Sequence, residues 1–277
     1  VRFHFSLLTT VVTLGLALGM VRLSIWQWDR HIQKQELVEH LERKLLEPPA
    51  PISDLIRSSN DISQETWRRV RFSGEYDFQH EMIVRRNRGP NDRAGFHVIT
   101  PLMLDNDAGQ ILIDRGFIPL GREGKETRKE YHRPSRVDHI GLIKNSMPQK
   151  FLAPSDPPTG LDKPWVDVWI RVDINKMSLQ LPYPILPVYL EIMENPQDPG
   201  VSQKIFKESS TGRNEVLSIT GTQKVENLGM ESPDVSYPIP LFDTTPPPDI
   251  HLGYVYEWAF MALLTLGIGL IKQFKRS

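Results

Sequence analysis

FHFSLLTTVVTLGLALGMV, residues Phe3 to Val21, runs for 19 positions without Asp, Glu, Lys or Arg, and 12 of the 19 are apolar. Near the other end, HLGYVYEWAFMALLTLGIGLI, residues His251 to Ile271, runs for 21 positions with Glu257 as its only formal charge and 15 apolar residues. At ~1.5 Å of helical rise per residue, either run reaches across the ~30 Å hydrocarbon core of a bilayer. Trp26 and Trp28 follow the first run, and Tyr254, Tyr256 and Trp258 open the second. Such side chains favour the boundary between lipid and water. A secretory signal is the competing reading of the first run, since Arg2 precedes it. The run is long for a signal's apolar region, however, and a charged helical pattern follows where a small-residue cleavage site belongs. Residues 3–25 and 251–271 are therefore expected to be transmembrane helices.

Charge gives them a direction. Arg2 lies outside the first span, and Lys272, Lys275 and Arg276 follow the second. The excess of basic residues on the cytosolic or matrix side then places both termini there and the intervening segment on the opposite face. The 277-residue chain carries a net charge of -1, but residues 26–250 alone carry -5. A near-neutral balance argues against a nucleic-acid binder. The chain has no cysteine, which excludes disulfides, thiolate metal sites and haem attachment through Cys-x-x-Cys-His.

All 23 prolines fall between Pro48 and Pro248, a density that opposes long helices and favours short strands joined by turns. Before them, residues 26–47 read as an amphipathic juxtamembrane helix, with Leu37, Leu41 and Leu45 recurring at i+4 and Val38 on the adjacent edge. Pro48-Pro49 stops it. Strands are expected at 69–78, 81–86, 96–104, 110–119, 137–146, 166–172 and 188–193. The turn Asp105-Asn-Asp-Ala-Gly109 joins two of them. A short helix is expected at 173–181, a charged loop at 121–136, and a polar insert at 196–237 with one strand at 215–220. The fold class is that of a membrane protein, two transmembrane helices flanking a mainly-β (α+β) soluble barrel or sandwich domain over residues 48–250.

Catalytic signatures are scarce. The chain contains neither Gly-x-Ser-x-Gly nor His-Glu-x-x-His. Gly121-Arg-Glu-Gly124-Lys125-Glu126-Thr127 has the wrong glycine spacing for a phosphate loop and Glu126 where Ser or Thr is needed, so it reads as a charged turn. No enzymatic activity is expected. Histidine ligates metal or haem iron without cysteine. His31 and His40 are nine apart and share no helical face; His80, His97, His132 and His139 read as ordinary surface or half-buried residues. His251 stands apart, at the mouth of the second span beside Tyr254 and Trp258. It is either a polar anchor at the interface or a haem ligand. Arg85, Arg86, Arg88 and Arg93 cluster between two strands, suited to haem propionates or lipid headgroups, or simply a solvated hairpin tip. Arg115 lies in the apolar run Ile111-Leu-Ile-Asp-Arg-Gly-Phe-Ile-Pro119 and needs a carboxylate or carbonyl partner, Asp114 or Asp77, with Gly116 permitting a bulge or close approach.

These stretches resemble the surfeit locus protein 1 family, two-span assembly factors of cytochrome c oxidase. Trp26-Gln27-Trp28-Asp29-Arg30 is similar to its Trp-Gln-x-x-Arg segment after the first span. Val70-Arg-Phe-Ser-Gly74-Glu-Tyr-Asp77 resembles its Val-x-Gly-x-Phe-Asp strand, and Gly95-Phe-His-Val-Ile-Thr-Pro101 its Gly-Tyr-x-Val-x-Thr-Pro. The Arg115 run resembles Ile-Leu-Val-Asn-Arg-Gly-Trp/Phe-Val-Pro, and His251-Leu-Gly-Tyr254 with Trp258 its His-Leu-x-Tyr…Trp opening. Asp249-Ile250 stands where the family often has Asn-Asn or Asn-Glu. The resemblance implies a non-enzymatic role in maturing the haem-bearing catalytic subunit of the oxidase, possible handling of haem a, and contact with other assembly factors and the bilayer. It implies His251 as a haem or partner contact, with Arg85, Arg86 and Arg115 as further contacts. A stable accessory subunit of a respiratory complex is the alternative. The expected location is the mitochondrial inner membrane, with the soluble domain in the intermembrane space and the termini in the matrix. A bacterial plasma membrane is the alternative there.

Overall fold

The computed structural model describes residues 2–86, 94–132, 134–147, 149, 152–157, 165–193, 237–240 and 249–275. The chain divides into two compact units, a helical one made of residues 1–40 and 245–277 and a β-rich one made of residues 41–244.

In the helical unit, strand β1 (Arg2–Phe3) leads into α1 (Leu7–Leu46), so the first apolar run and the juxtamembrane segment form one unbroken helix. Between Thr10 and Val38 the shielded positions are 10, 13, 17, 20, 24, 27, 31, 34 and 38, and every other position is exposed. Steps of three and four describe a narrow seam rather than a broad amphipathic face, the periodicity of helices packed side by side. The expected stripe of Leu37, Leu41 and Leu45 is kept at Leu41 but gives way to the adjacent Val38 one turn earlier. Val38 and Leu41 are buried while Leu37 is 40% exposed, because 38 and 41 continue the phase of the seam.

From Thr10 to Gln27 the partner of this seam is the last helix, Asp249–Ile271, which runs antiparallel to α1. Ser24 donates to the carbonyl of Val255 at 2.9 Å, Thr265 lies against the Met20 sulfur, and Gln273 donates to Thr10 at 2.9 Å. Ala17, Ala262 and Gly269 are buried. Small residues of this kind let two apolar helices approach where lipid supplies no hydrophobic drive. A two-strand pairing of Arg2–Phe3 with Phe274–Lys275 ties the ends together. Both helices are long and apolar enough to cross a membrane, and their outer faces expose leucine, valine and phenylalanine throughout.

The β unit follows the α1 terminus with β2 (Ala50–Pro51), α2 (Ile52–Ser58), β3 (Arg69–Tyr76), β4 (Met82–Arg86), β5 (Gly95–Leu104) and β6 (Gln110–Pro119). Then come α3 (Lys125–Arg128), β7 (Arg136–Asn145), β8 (Val168–Trp169), α4 (Ile174–Ser178) and β9 (Val188–Ile192). The final helix of the chain is α5, and its closing strand β10. The pairing order β3-β7-β9-β6-β5 returns to β3 through Gly74↔Leu104 and its neighbours, so five strands close on themselves as a barrel. One edge of β5 serves two partners: Leu102–Leu104 pairs with β3 and Gly95–Ile99 with β4. Pro101 sits at the changeover, where its carbonyl accepts from Asp77 N–H at 2.9 Å. Its missing N–H falls in the gap between β3 and β4, where no donor is needed.

Alternation fills the barrel. On β3, Val70, Phe72, Gly74 and Tyr76 are buried and Arg71, Ser73 and Glu75 between them are more exposed, as a strand with one covered face requires. Val70, Phe72 and Tyr76 pack with Leu102, Leu104, Ile111, Ile113, Ile143 and Leu190. Outside the barrel, Trp169, Val172, Ile174 and Met177 cover Met82, Val84, Ile99 and Leu112. The segment expected as a strand over 166–172 is strand only at Val168–Trp169; Trp169 is fully buried, its indole N–H bonded to the Val166 carbonyl at 3.0 Å. The charged 121–136 segment contains α3 and a 3-10 turn at Lys129–Tyr131 rather than being loop alone. The polar insert and its expected strand lie outside the described residues, apart from Tyr237.

Candidate functional site

Two groups of polar residues stand out, one in each unit. In the helical unit, His251 lies in the first turn of α5 and is half-buried. Its Nδ1 is 2.9 Å from Oε1 of Gln27 on α1. Gln27 is a seam position of α1, one step beyond Ser24. The motif after the first span and the motif opening the second thus meet across the helix pair. Around them Trp26 and Trp28 are exposed, the Arg30 guanidinium lies 5.8 Å from the Trp26 ring centre, and Trp28 contacts the His31 ring. The result is an aromatic collar at the end of an apolar helix pair, where side chains with one wet and one greasy end belong.

In the β unit, the Arg115 run supplies alternate residues to opposite faces of β6. Arg115 and Gly116 together oppose Val98, which shifts the β5–β6 register between His97 and Ile99. This is a bulge with an added residue on β6. Gly116 adopts φ +117°, and the backbone of Ile239 passes so close that a Cβ there would lie 2.0 Å from its carbonyl oxygen. Ile239 in turn exchanges backbone hydrogen bonds with Phe117 at 2.8 and 2.9 Å. The glycine therefore serves both of its expected purposes, bulge and close approach.

Arg115 is buried and donates to Glu81 at 3.1 Å and to the carbonyl of Tyr131. Its guanidinium stacks 5.0 Å from the Tyr76 ring centre and 5.2 Å from that of Phe78. The partner is Glu81, not Asp114 or Asp77. Asp114 neighbours Arg115 in an extended strand and so points to the other face. There it is held by the His97 ring at 2.8 Å and by the N–H of Gly116 at 3.0 Å. Asp77 is occupied at the corner before β4, accepting from the Tyr183 hydroxyl and from His80, each at 2.5 Å. Burial alone would raise the Asp77 carboxyl, but these two partners outweigh it and hold it below the ordinary value. Burial pushes the Tyr76 phenol up to about 12, against the pull of Arg115.

Glu81 is the hub. Besides Arg115 it accepts from Thr100 at 3.2 Å, lies 3.6 Å from Arg128 Nε and meets His132 Nε2 at 3.5 Å. Arg128, almost wholly buried, turns one nitrogen, Nη2, to both carboxylate oxygens of Asp167, at 2.8 and 3.0 Å. Two guanidiniums face two carboxylates, with Lys125 3.9 Å from Asp167 at the exposed rim, and the cluster welds β4, β5, β6, α3 and the β8 approach together.

Among the residues singled out in the sequence, His251 belongs to the helical unit and Arg85, Arg86 and Arg115 to the β unit. Arg85 is exposed near the end of β4, two strands away from Arg115 in the sheet order. Arg86 ends β4, and its side chain, like Arg88 and Arg93, lies outside the described residues. Sequence reasoning missed Gln27, Glu81 and Arg128. For Gln27 a signal existed, the three-four stepping of Thr13, Ala17, Met20, Ser24 and Gln27. For Arg128 none did, because its partner Asp167 is 39 residues away.

The fit of haem to these residues differs between them. His251 has one ring nitrogen against a side-chain amide, the arrangement of a metal-ligating histidine whose other nitrogen takes the metal. Arg115 is committed to Glu81 and Tyr131, so a propionate would have to displace a buried carboxylate to reach it.

A model of the SURF1 family matches residues 14–263 of the chain. A SURF1-like protein of Monosiga brevicollis is 27% identical over 225 residues, covering 78% of this chain and 79% of that protein. A SURF1-like protein of Caenorhabditis briggsae is 28% identical over 189 residues, covering 61% and 57%. Surfeit locus protein 1 of Mus musculus is 25% identical over 149 residues, covering 49% and 48%. The match thus spans little more than half of the nematode protein and about half of the mouse one.

Proposed function

The chain belongs to the SURF1 family, and from that premise we propose that it assists the assembly of cytochrome c oxidase by helping to mature the haem-bearing catalytic subunit, with haem a as its cargo. In this reading it is a membrane-anchored assembly factor rather than an enzyme, seated in the mitochondrial inner membrane. The observation that supports the haem part is His251 on Gln27. A histidine at the lipid boundary, with one nitrogen engaged and the other presented, is suited to accept an iron atom handed along the membrane surface. When bound, the haem iron supplies an open coordination position that an imidazole nitrogen fills. The aromatic collar of Trp26, Trp28 and Tyr254 offers flat apolar surface to a macrocycle at the same depth. Arg85, exposed near the end of β4, and its neighbour Arg86 are the contacts proposed for an anionic partner, and Arg115 serves the barrel.

The test is deletion of the chain followed by absorption spectroscopy of the membranes. The a-type haem signal should fall while the b- and c-type signals persist; an unchanged a-type signal overturns the proposal. Purification in mild detergent distinguishes the accessory-subunit alternative. An assembly factor co-purifies with early oxidase intermediates, whereas stoichiometric retention by the mature enzyme favours a stable subunit.

A further inference from the structure

The geometry points to Gln27 as the residue that positions His251, selecting the tautomer in which Nδ1 carries the proton and Nε2 is presented as an acceptor. This deepens the reading above, because it concerns the same histidine. A carboxamide oxygen only accepts hydrogen bonds, so the contact of 2.9 Å between Gln27 Oε1 and His251 Nδ1 requires a proton on Nδ1. A neutral imidazole carries one N–H. Nε2 is then left with its lone pair, on the edge of the ring turned away from Gln27. Histidine free in water favours the opposite tautomer, so the bond reverses an intrinsic preference.

The setting supports a dedicated pairing. At the preceding seam positions α1 presents Thr13, Ala17, Met20 and Ser24, side chains that are small or flexible. A long carboxamide at the next step departs from that pattern, and its reach is spent on a residue 224 positions away in sequence. The helix pair fixes both ends of the bond. Ser24 is bonded to the Val255 carbonyl one turn from the histidine, so neither backbone can drift without breaking a second interhelical contact. Gln27 thus acts through His251, as a positioning residue, and determines which nitrogen an incoming metal or donor meets.

The experiment uses the full chain in detergent micelles, labelled with 15N in histidine, at about pH 8, above the ordinary histidine value of ~6.5. The His251 ring signals are identified by their loss in His251→Ala. Nitrogen shifts and ring couplings then report which nitrogen is protonated, without any haem present. The wild type should show a protonated Nδ1. Gln27→Leu should lose that signature, and Gln27→Glu, which keeps an acceptor at the same reach, should retain it. A wild-type ring protonated on Nε2, or a Gln27→Leu ring unchanged from wild type, overturns the inference. Titration with haemin gives an independent arm: Gln27→Leu should weaken binding by roughly 10–100-fold, the usual effect of removing a partner behind a metal ligand, and Gln27→Glu should not. If haemin binds His251→Ala as well as wild type while the tautomer responds to Gln27 as described, the positioning role stands and the haem reading falls.

Discussion

A methyl group at position 116 has nowhere to go. The added Cβ would sit 2.0 Å from the Ile239 carbonyl oxygen, and the φ of +117° is one that L side chains rarely adopt. Steric overlap and backbone strain therefore act together. Gly116→Ala should cost roughly 2–5 kcal/mol, read as a lowered melting temperature of the full chain in detergent. Gly121 separates the two effects, since its φ is +90° but nothing lies within 4 Å of its Cβ position. Gly121→Ala should cost only about 1 kcal/mol. Equal losses at the two sites would mean that Ile239 does not press on the bulge. The same strand shows how far single residues can be read from sequence. That Arg115 needed a partner was legible, because a buried guanidinium in an apolar run cannot stay unpaired. Which partner was not, because sequence proximity favoured Asp114 and extended geometry sends that side chain to the opposite face.

At the scale of elements, β3, β5, β6 and β9 were legible because β-branched and aromatic residues fill them between turn residues, and their observed limits differ from the expected ones by a residue or two. The four-residue helix α3 was hidden, because a single turn rich in charge has no periodicity to display and is fixed by a distant ion pair. The closing contact between β3 and β5 was equally invisible: alternation says which face is covered, but not which strand completes a ring. The long helices invert the problem. Their apolar composition announced them, yet leucine on every face concealed which side packs. The seam of small and polar residues answers that, and a cysteine-free chain makes it testable. Thr13→Cys with Gly269→Cys should form a disulfide readily under mild oxidation, since a Cβ at position 269 would lie 2.8 Å from that of Thr13, close enough to bridge after a shift of about 1 Å. Gly15→Cys with Gly267→Cys should not, because neither glycine has any neighbour within 4 Å of its Cβ position and a disulfide needs Cβ atoms ~3.5–4.5 Å apart. Cross-linking of the second pair in preference to the first would place the seam on the wrong face of α1.

For the whole molecule, the distribution of charge matters more than its sum. The net charge of -1 conceals basic residues at both ends and -5 over residues 26–250. The antiparallel pairing of α1 and α5 brings Arg2–Phe3 beside Phe274–Lys275, so if the helices span, both termini emerge on one side and the β unit follows from the other. Basic flanks are retained on the cytosolic or matrix side, whereas the acidic charge of a long intervening domain contributes little. The expected topology follows from the flanks: termini in the matrix or cytosol, β unit in the intermembrane space or periplasm. Cysteine labelling in sealed membranes decides it, with an impermeant maleimide added from the intermembrane-space or periplasmic face. Leu152→Cys, at a position 89% exposed in the β unit, should react before the membrane is opened. Ser277→Cys should react only afterwards. The reverse order would invert the orientation, and labelling of both before opening would mean that the helix pair lies on the membrane instead of crossing it. The outcome bears on function as well, because His251 lies at the end of α5 remote from Ser277, so the same labelling decides which face of the membrane the histidine serves.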